Sequence, residues 1–450
     1  MARFPHSMLA RATFVAAACA VALSLAACRG GSSKELRFHP ERPAAAYFST
    51  QVCSLLSGDG GARIRGQDGG TSNVAGGRDY WTFGDTLTDD PSHFVWNNIA
   101  VSDDFNADDC IDLAFKRDEQ GFAAPLLSRE EGEVTVWAAA GQAAVDDHTV
   151  YFLYNSVSSA DIATGAFHFR GIGLGKFDTA DLVGHRVIEN LITDQDLDGA
   201  SLSLSPAVDL FIDEGYAYVY FAVGFNVRVG RVPVAQIEDK AAYRYWDGSE
   251  WVAEASKSVD ILQTAGGEQA FNVDWNPYLG KWAAAYSTDT LNAPAMAYAD
   301  APQGPFVDET VLFDCKAQFA VGAVSPSQLV YPEYNDRYAC YHLTQHPELD
   351  KNDRQTIYLT YANLGTYRLY LQKVVLAVPF AQWDDAEGRA VYARSGQDVA
   401  GATRRGIAFY VPTLPGDGLT AIHDWLETSS GRHLYEPASP GDGFEDRVLA

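Results

Sequence analysis

Gly76-Gly77-Arg78-Asp79 followed by Tyr80-Trp81-Thr82-Phe83 is a polar turn that runs straight into an apolar-aromatic stretch. That is the local signature of a β-hairpin. The same sentence is written four more times along the chain. Its runs are 150–154 (VYFLY), 218–221 (YVYF), 282–286 (WAAAY) and 357–361 (IYLTY), each behind a turn rich in Asp, Asn or Gly. With Trp81, Tyr151, Tyr218, Trp282 and Tyr358 as anchors, the spacings are 70, 67, 64 and 76 residues. A third strand-like segment follows each anchor, at 98–101, 171–177, 227–234, 295–299 and 368–376. Outer fourth strands fit at 111–115, 186–192, 243–252 and 309–313. Four-stranded units repeated radially make a β-propeller, so the expected fold is all-β with five blades. The fifth unit lacks an outer strand, while 46–52 reads as a strand without a unit. The N-terminal strand is therefore expected to complete the last blade, over 44–380.

The chain has 450 residues, 47% hydrophobic and 20% charged, which is globular composition. Against 33 Lys and Arg stand 59 Asp and Glu, a net charge of −26. A phosphate-rich partner is excluded, so no nucleic acid is expected, and an anionic membrane surface is disfavoured. Arg3, His6 and Arg11 precede an apolar run ending in Leu25-Ala26-Ala27-Cys28. Residues 1–27 read as an export signal. The Leu-Ala-Ala-Cys ending resembles the bacterial lipobox, which implies a lipidated Cys28 at a bacterial outer membrane or cell surface, contacted through the lipid only. Residues 29–43 form a tether. Four cysteines remain, Cys53, Cys110, Cys315 and Cys340. Two disulfides are expected in an oxidising compartment, with three possible connectivities. Sequence proximity favours Cys53–Cys110 and Cys315–Cys340.

In a propeller the start of the inner strand and the end of the second strand point at one funnel. In the first unit these are Asp68, within Gly66-Gln67-Asp68-Gly69-Gly70, and Asp85, within Gly84-Asp85-Thr86. Glu268 matches Asp68 in the fourth unit. Asn97, Asn98, Trp137, His342, His346 and Glu348 are candidate substrate contacts. Two carboxylates near an aromatic ring suit glycosidic cleavage, where one protonated acid serves the leaving oxygen and one ionised group acts on water or carbon. Each has a plainer reading: Asp85 as a turn cap, Glu268 as a solvated edge residue, His346-Pro347-Glu348 as a fixed strand start. Asp194, Asp196 and Asp198 have the spacing that opens a calcium loop, with Ser205 where the bidentate Glu belongs. A structural calcium is their candidate ligand; no cofactor is otherwise required.

The motifs Gly66–Gly70, Trp81-Thr82-Phe83-Gly84-Asp85-Thr86, Trp275–Trp282, Ala301–Phe306 and His346–Leu349 resemble a family of secreted bacterial five-bladed propellers. That family was long catalogued as a domain of unknown function, and some members are endo-D-arabinanases. The resemblance runs from about Ala62 to Leu376. It implies Asp68 as base or nucleophile, Asp85 as the group that tunes it, and Glu268 as acid, acting on a furanosidic, arabinan-like polysaccharide. Residues 381–450 form a separate extension. Its segments 406–411, 420–425 and 431–435 resemble one unit of a secreted β-repeat module, which implies surface or glycan attachment. The expected function is a monomeric surface lipoprotein that hydrolyses a polysaccharide; the alternative is a non-catalytic glycan-binding or adhesion lipoprotein.

Overall fold

A computed structural model describes residues 38–56, 62–161, 166–224, 226–263, 271–288, 293–315, 340–363, 365–415, 419, 423–429, 432–436 and 444–447. The signal segment, Cys28 and Glu268 lie outside the described residues. The chain is all-β, built as successive antiparallel sheets. Strand β1 (Ala45–Ser54) comes first and is set aside for the last of them. The first sheet holds β2 (Ile64–Ala75), β3 (Arg78–Thr88), β4 (Phe94–Val95), β5 (Asn98–Ser102) and β6 (Ala114–Phe115). The second holds β7 (Thr135–Trp137), β8 (Gln142–Ala144), β9 (Thr149–Asp161), β10 (Ala166–Asp178) and β11 (His185–Ile192).

The third runs through β12 (Leu202–Asp213), β13 (Tyr216–Val223), β14 (Asn226–Pro233), β15 (Arg244–Trp246), β16 (Trp251–Val252) and β17 (Leu262–Gln263). The fourth is β18 (Phe271–Asn276), β19 (Lys281–Ser287), β20 (Pro294–Ala299) and β21 (Val307–Val311). The fifth pairs β22 (Cys340–Gln345), β23 (Thr356–Asn363) and β24 (Arg368–Asp384) with the waiting β1. Ala45 opposite Ala377 and Ser54 opposite Tyr370 fix that register. β1 thus supplies the outer strand the fifth unit lacks.

Why the aromatic runs are continuous rather than alternating is visible in the packing. Each second strand is covered on both faces, so neighbouring residues enter different cores. Tyr80 packs with Val136, Phe152 and Phe177 between the first and second sheets. Trp81 packs with Tyr358 and Leu371 between the first and fifth. Further cores fill the gaps between second and third, third and fourth, and fourth and fifth sheets. The inner strands touch in sequence: β2 with β8, β8 with β12, β12 with β18, β18 with β22, and β22 with β2.

A recurring polar stitch holds these inner strands in step. Asn73 Oδ1 accepts from Ala144 N–H at 2.8 Å, Asp209 Oδ2 from Val273 N–H at 2.7 Å, and Asn272 Oδ1 from Gln345 N–H at 3.1 Å. Each stitch lies just before its hairpin, so the hairpins gather at one end of the inner strands. The close approach is sterically demanding: a Cβ on Gly141 would sit 2.3 Å from Leu210 N.

Disulfides Cys53–Cys110 and Cys315–Cys340 form with Cα separations of 5.7 and 6.0 Å. They mark a chain that folds in an oxidising, extracellular or periplasmic compartment. The first bond ties β1 of the fifth sheet to the first sheet. Beside it Asp108 accepts from Lys351 at 2.5 Å, Lys373 at 2.7 Å and Tyr358 at 2.5 Å, across the same junction. No helix among the described residues is long and apolar enough to cross a membrane.

The boundary expected at residue 380 falls inside a strand. β24 runs on to Asp384 because 374–383 is buried throughout, and its far half pairs with β25 (Ala390–Arg394) and β26 (Thr403–Val411). A small three-stranded sheet, β27 (His423–Glu427), β28 (Arg432–Glu436) and β29 (Phe444–Arg447), follows.

Candidate active site

Asp68 and Asp85 come together where the β2–β3 ladder slips twice. Gln67 pairs with Thr86 and Gly69 with Phe83, so Gly84 and Asp85 have only Asp68 opposite them. One step on, Thr71 pairs with Thr82 and Gly70 is the extra residue. Bulges re-aim side chains and end regular pairing, which is why they gather at sites. Glycine is required here by space and by backbone. A Cβ on Gly84 would lie 2.4 Å from Asp68 Oδ1, and Gly69 at φ +79° has Gly84 N and Ala139 2.6 Å from where its Cβ would be.

The fifth sheet reaches across to hold Asp68. Tyr367 OH donates to Asp68 Oδ2 at 2.9 Å and Tyr341 OH donates to the same oxygen at 3.1 Å. Asp85 N–H also donates to the Asp68 carboxylate. Tyr367 sits in the β23–β24 turn at φ +52°, with its carbonyl accepting from Gln67 N–H at 2.7 Å. The second sheet holds Asp85: Trp137 Nε1 donates to Asp85 Oδ1 at 3.0 Å, and Phe169 stands edge-on to the indole at 5.8 Å. Asp68, Asp85 and Trp137 each keep a solvent-facing edge.

The two carboxyls differ in proton affinity. Burial pushes Asp68 up to about 6, and the two phenols and the Asp85 N–H pull against it. Asp85 is held well above the usual carboxylate range, first by burial and then by the charge of Asp68, with only Trp137 opposing. Of the two, Asp85 is the more reluctant to ionise, because burial and the charge of Asp68 both act on it. Two neighbouring carboxyls of unequal proton affinity are the arrangement that acid–base chemistry requires.

The other sequence candidates are placed as follows. Asn97 is fully buried; its Nδ2 donates to the carbonyls of Leu127 and Val136, both at 3.0 Å, and its Oδ1 accepts from Leu127 N–H. Asn98 is equally buried and donates to Thr86 Oγ1 at 2.5 Å. Both lie beneath the site. His346 is buried too, stacked on Trp81 at 4.2 Å, with Nε2 on Thr360 Oγ1 at 2.8 Å and Nδ1 on Ser72 Oγ at 2.5 Å. Ser72 donates onward to Glu348. These two residues therefore belong to the junction between first and fifth sheets. His342 remains near the site: it occupies a β22 bulge at φ +56°, next to Tyr341, and burial pulls its ring down to about 4.

The acidic loop does not converge. Asp194 Oδ1 accepts from Leu202 N–H, while Asp196 takes Thr193 and Lys240. Asp198 stands at φ +54° in the turn. Among the described residues no three His, Cys, Asp or Glu side chains form a metal-holding group. Tyr341, Tyr367 and Phe169 are site residues that the sequence reading missed. With 23 tyrosines and 23 phenylalanines in the chain, nothing local marks these three out.

No curated protein sequence matches the chain. Among solved structures, a Bacteroides ovatus protein provisionally called a hydrolase is 16% identical with a TM-score of 0.51, covering 77% of this chain and 96% of its own. At that identity the likeness is one of fold. A GH43 enzyme from Xanthomonas citri is 15% identical over 77% of this chain and 93% of its own, with a TM-score of 0.41. A family 117 glycoside hydrolase from Zobellia galactanivorans is 11% identical over 74% and 92%, with a TM-score of 0.45. Asp68, Asp85 and Trp137 precede the part of the chain that a family description covers. That part, residues 199–373, matches the Domain of unknown function (DUF4185), the kind of family to which the sequence motifs point.

Proposed function

We propose that this chain is an exported glycoside hydrolase on a five-bladed propeller, with Asp68 and Asp85 as its acid–base pair. The cyclic packing of β2, β8, β12, β18 and β22, with one apolar core per gap, supports five blades closed by β1. The observation that carries the function is a pair of adjoining carboxyls of unequal, raised proton affinity, held beside an indole and joined through the Asp85 N–H. Asp85 donates a proton to the leaving glycosidic oxygen. Trp137 occupies Oδ1, so the proton resides on Oδ2. Asp68, kept ionised by two phenols, supplies its electron pair to the anomeric carbon directly or through a water. Trp137 and Phe169 offer ring faces and edges to a sugar.

Glu268 then becomes dispensable as an acid, a point on which this reading departs from what the family resemblance implies. Lipidation of Cys28 holds the enzyme at the cell surface, and an arabinan-like polymer is the favoured substrate. The test is reducing-sugar release from arabinan, arabinogalactan, fructan and xylan by wild type, Asp68→Asn, Asp85→Asn and Glu268→Gln. Release by wild type and Glu268→Gln but by neither Asp variant supports the pair. Release that survives both Asp substitutions sinks it. Retention of a polymer without release by wild type favours a binding protein.

A further inference from the structure

The hairpin ends of the third and fourth sheets, away from Asp68 and Asp85, carry a run of aromatic rings that reaches the surface. Trp275 is 41% exposed. It meets Trp282 at 5.9 Å, which meets Phe211 at 5.4 Å, which stacks on Tyr218 at 5.1 Å and an interplanar angle of 8°. Tyr218 continues to Trp251 at 6.1 Å. Of these rings only Tyr218 is buried; the others keep part of their surface. Arg231 fixes the far end, with its guanidinium 4.3 Å from the Tyr216 ring centre and 4.2 Å from that of Trp251.

We propose that this strip is a second glycan-binding surface, which grips a neutral polysaccharide while the Asp68–Asp85 site works on it. The inference rests on the glycosidase reading for its ligand class. One exposed indole with three half-buried rings in line behind it is more apolar surface than scattered single residues present, and such patches mark contact sites. The occupant is set by charge. Asp213 and Glu214 lie close enough to act on Tyr218, on a chain of net charge −26, which repels nucleic acid and anionic lipid. Sugar rings suit the remainder: their C–H faces lie flat on indoles, and their hydroxyls bond to carboxylates and to Arg354, which pairs with Asp274 at 2.8 Å beside Trp275.

The experiment is native-gel retardation of the full chain in arabinan, arabinogalactan, fructan and xylan. Wild type, Trp275→Ala, Trp251→Ala and Asp68→Asn run side by side, and each variant's melting temperature checks its fold. The expected result is retardation of wild type and Asp68→Asn by one polymer, weakened at least about fivefold in both Trp variants. Turnover of short oligosaccharides of that polymer stays at the wild-type level in the Trp variants. Unchanged retardation in Trp275→Ala and Trp251→Ala overturns the strip while leaving hydrolysis standing. Absence of both retardation and release on every polymer overturns the strip and the glycosidase reading together. A Trp-dependent shift to dimer in gel filtration, without polymer binding, assigns the strip to self-association and overturns it as a glycan site.

Discussion

Asp68 and Asp79 stand on the same pair of strands, at opposite ends of the β2–β3 pairing. Burial raises both carboxyls, Asp68 to about 6 and Asp79 well above the usual range, the latter helped by the charge of Glu348. Their surroundings part them. Asp79 is fully buried and accepts from Trp81 Nε1 at 2.6 Å, in the packed layer where His346 stacks on that indole. Asp68 lies in a bulge with a solvent edge, a second carboxyl beside it and phenols on one oxygen. A displaced proton affinity alone does not make a catalytic group. Access, a neighbouring carboxyl of unequal proton affinity and donors that hold charge are what separate the two ends.

Removing either carboxyl abolishes function at one end and leaves the fold intact. Asp68→Asn and Asp85→Asn each lower kcat by about 10²- to 10⁴-fold, the range for loss of a general acid or base, while the fold persists. Initial-rate assays and circular dichroism measure the two halves of that statement. Asp68→Asn has a second, opposite consequence. A carboxyl whose folded pKa exceeds its unfolded value contributes stability below the unfolded pKa and loses it as pH rises through about 6. The variant therefore melts higher than wild type above pH 6 and converges on it near pH 4. Asp209, raised to about 7 by burial, follows the same rule at a purely structural stitch.

At the other end the same kind of substitution breaks the fold. His346→Ala removes the ring stacked on Trp81 and one hydrogen-bond partner each from Ser72 and Thr360 in a buried layer. A loss of about 3 kcal/mol is expected from the cavity and the two lost hydrogen bonds, read as a lower urea midpoint. Next in size is the covalent tie across the same junction. Cys53→Ala with Cys110→Ala opens a bond between residues 57 apart and lowers stability by about 2–5 kcal/mol, with no effect on Asp68 chemistry below the melting range. If the double variant instead loses activity while still folded, the junction and the site are not separable in the way the comparison supposes.

How much of this the sequence discloses follows the same division. The repeated turn and aromatic run locates the second strand of each sheet, and the orphan segment 46–52 is matched to the sheet that lacked a strand. Proximity alone favours the pairing that both disulfides have. Asp68 and Asp85 are legible because glycines flank them where a strand should be regular. His346, Asn97 and Asn98 are not legible as interior groups. Strands buried on both faces show no alternation, so a polar residue in them points to a core as readily as to a funnel. The same continuity hides the passage of β24 through residue 380. The acidic loop carries calcium-like spacing, yet Lys240 lies 44 residues further along the chain and is brought to Asp196 only by the third sheet. Tyr341 and Tyr367 belong to this class too: they reach Asp68 from 273 and 299 residues away.

Those two phenols tune Asp68 without creating the site. A hydroxyl that donates to a carboxylate favours its ionised form, so each holds Asp68 below where burial alone would put it. Removing one donor raises the Asp68 pKa. A neutral hydrogen bond worth about 1 kcal/mol corresponds to about 0.7 of a pH unit at 1.36 kcal/mol per unit. In Tyr367→Phe the acid limb of the kcat/KM profile, expected near 6 in wild type, therefore moves up by about that amount. Tyr341→Phe, with the longer bond, moves it less. Rates measured well above the Asp68 pKa change little, because Asp68 is ionised there in every variant. Trp137→Phe acts on the other limb with the same sign. Its indole N–H opposes the rise of Asp85, so its loss lifts that pKa further and extends activity to higher pH. Limbs that stay fixed in all three variants would assign the pH dependence to groups other than Asp68 and Asp85, whereas limbs that move separately, each with its own donor, tie one limb to each carboxyl.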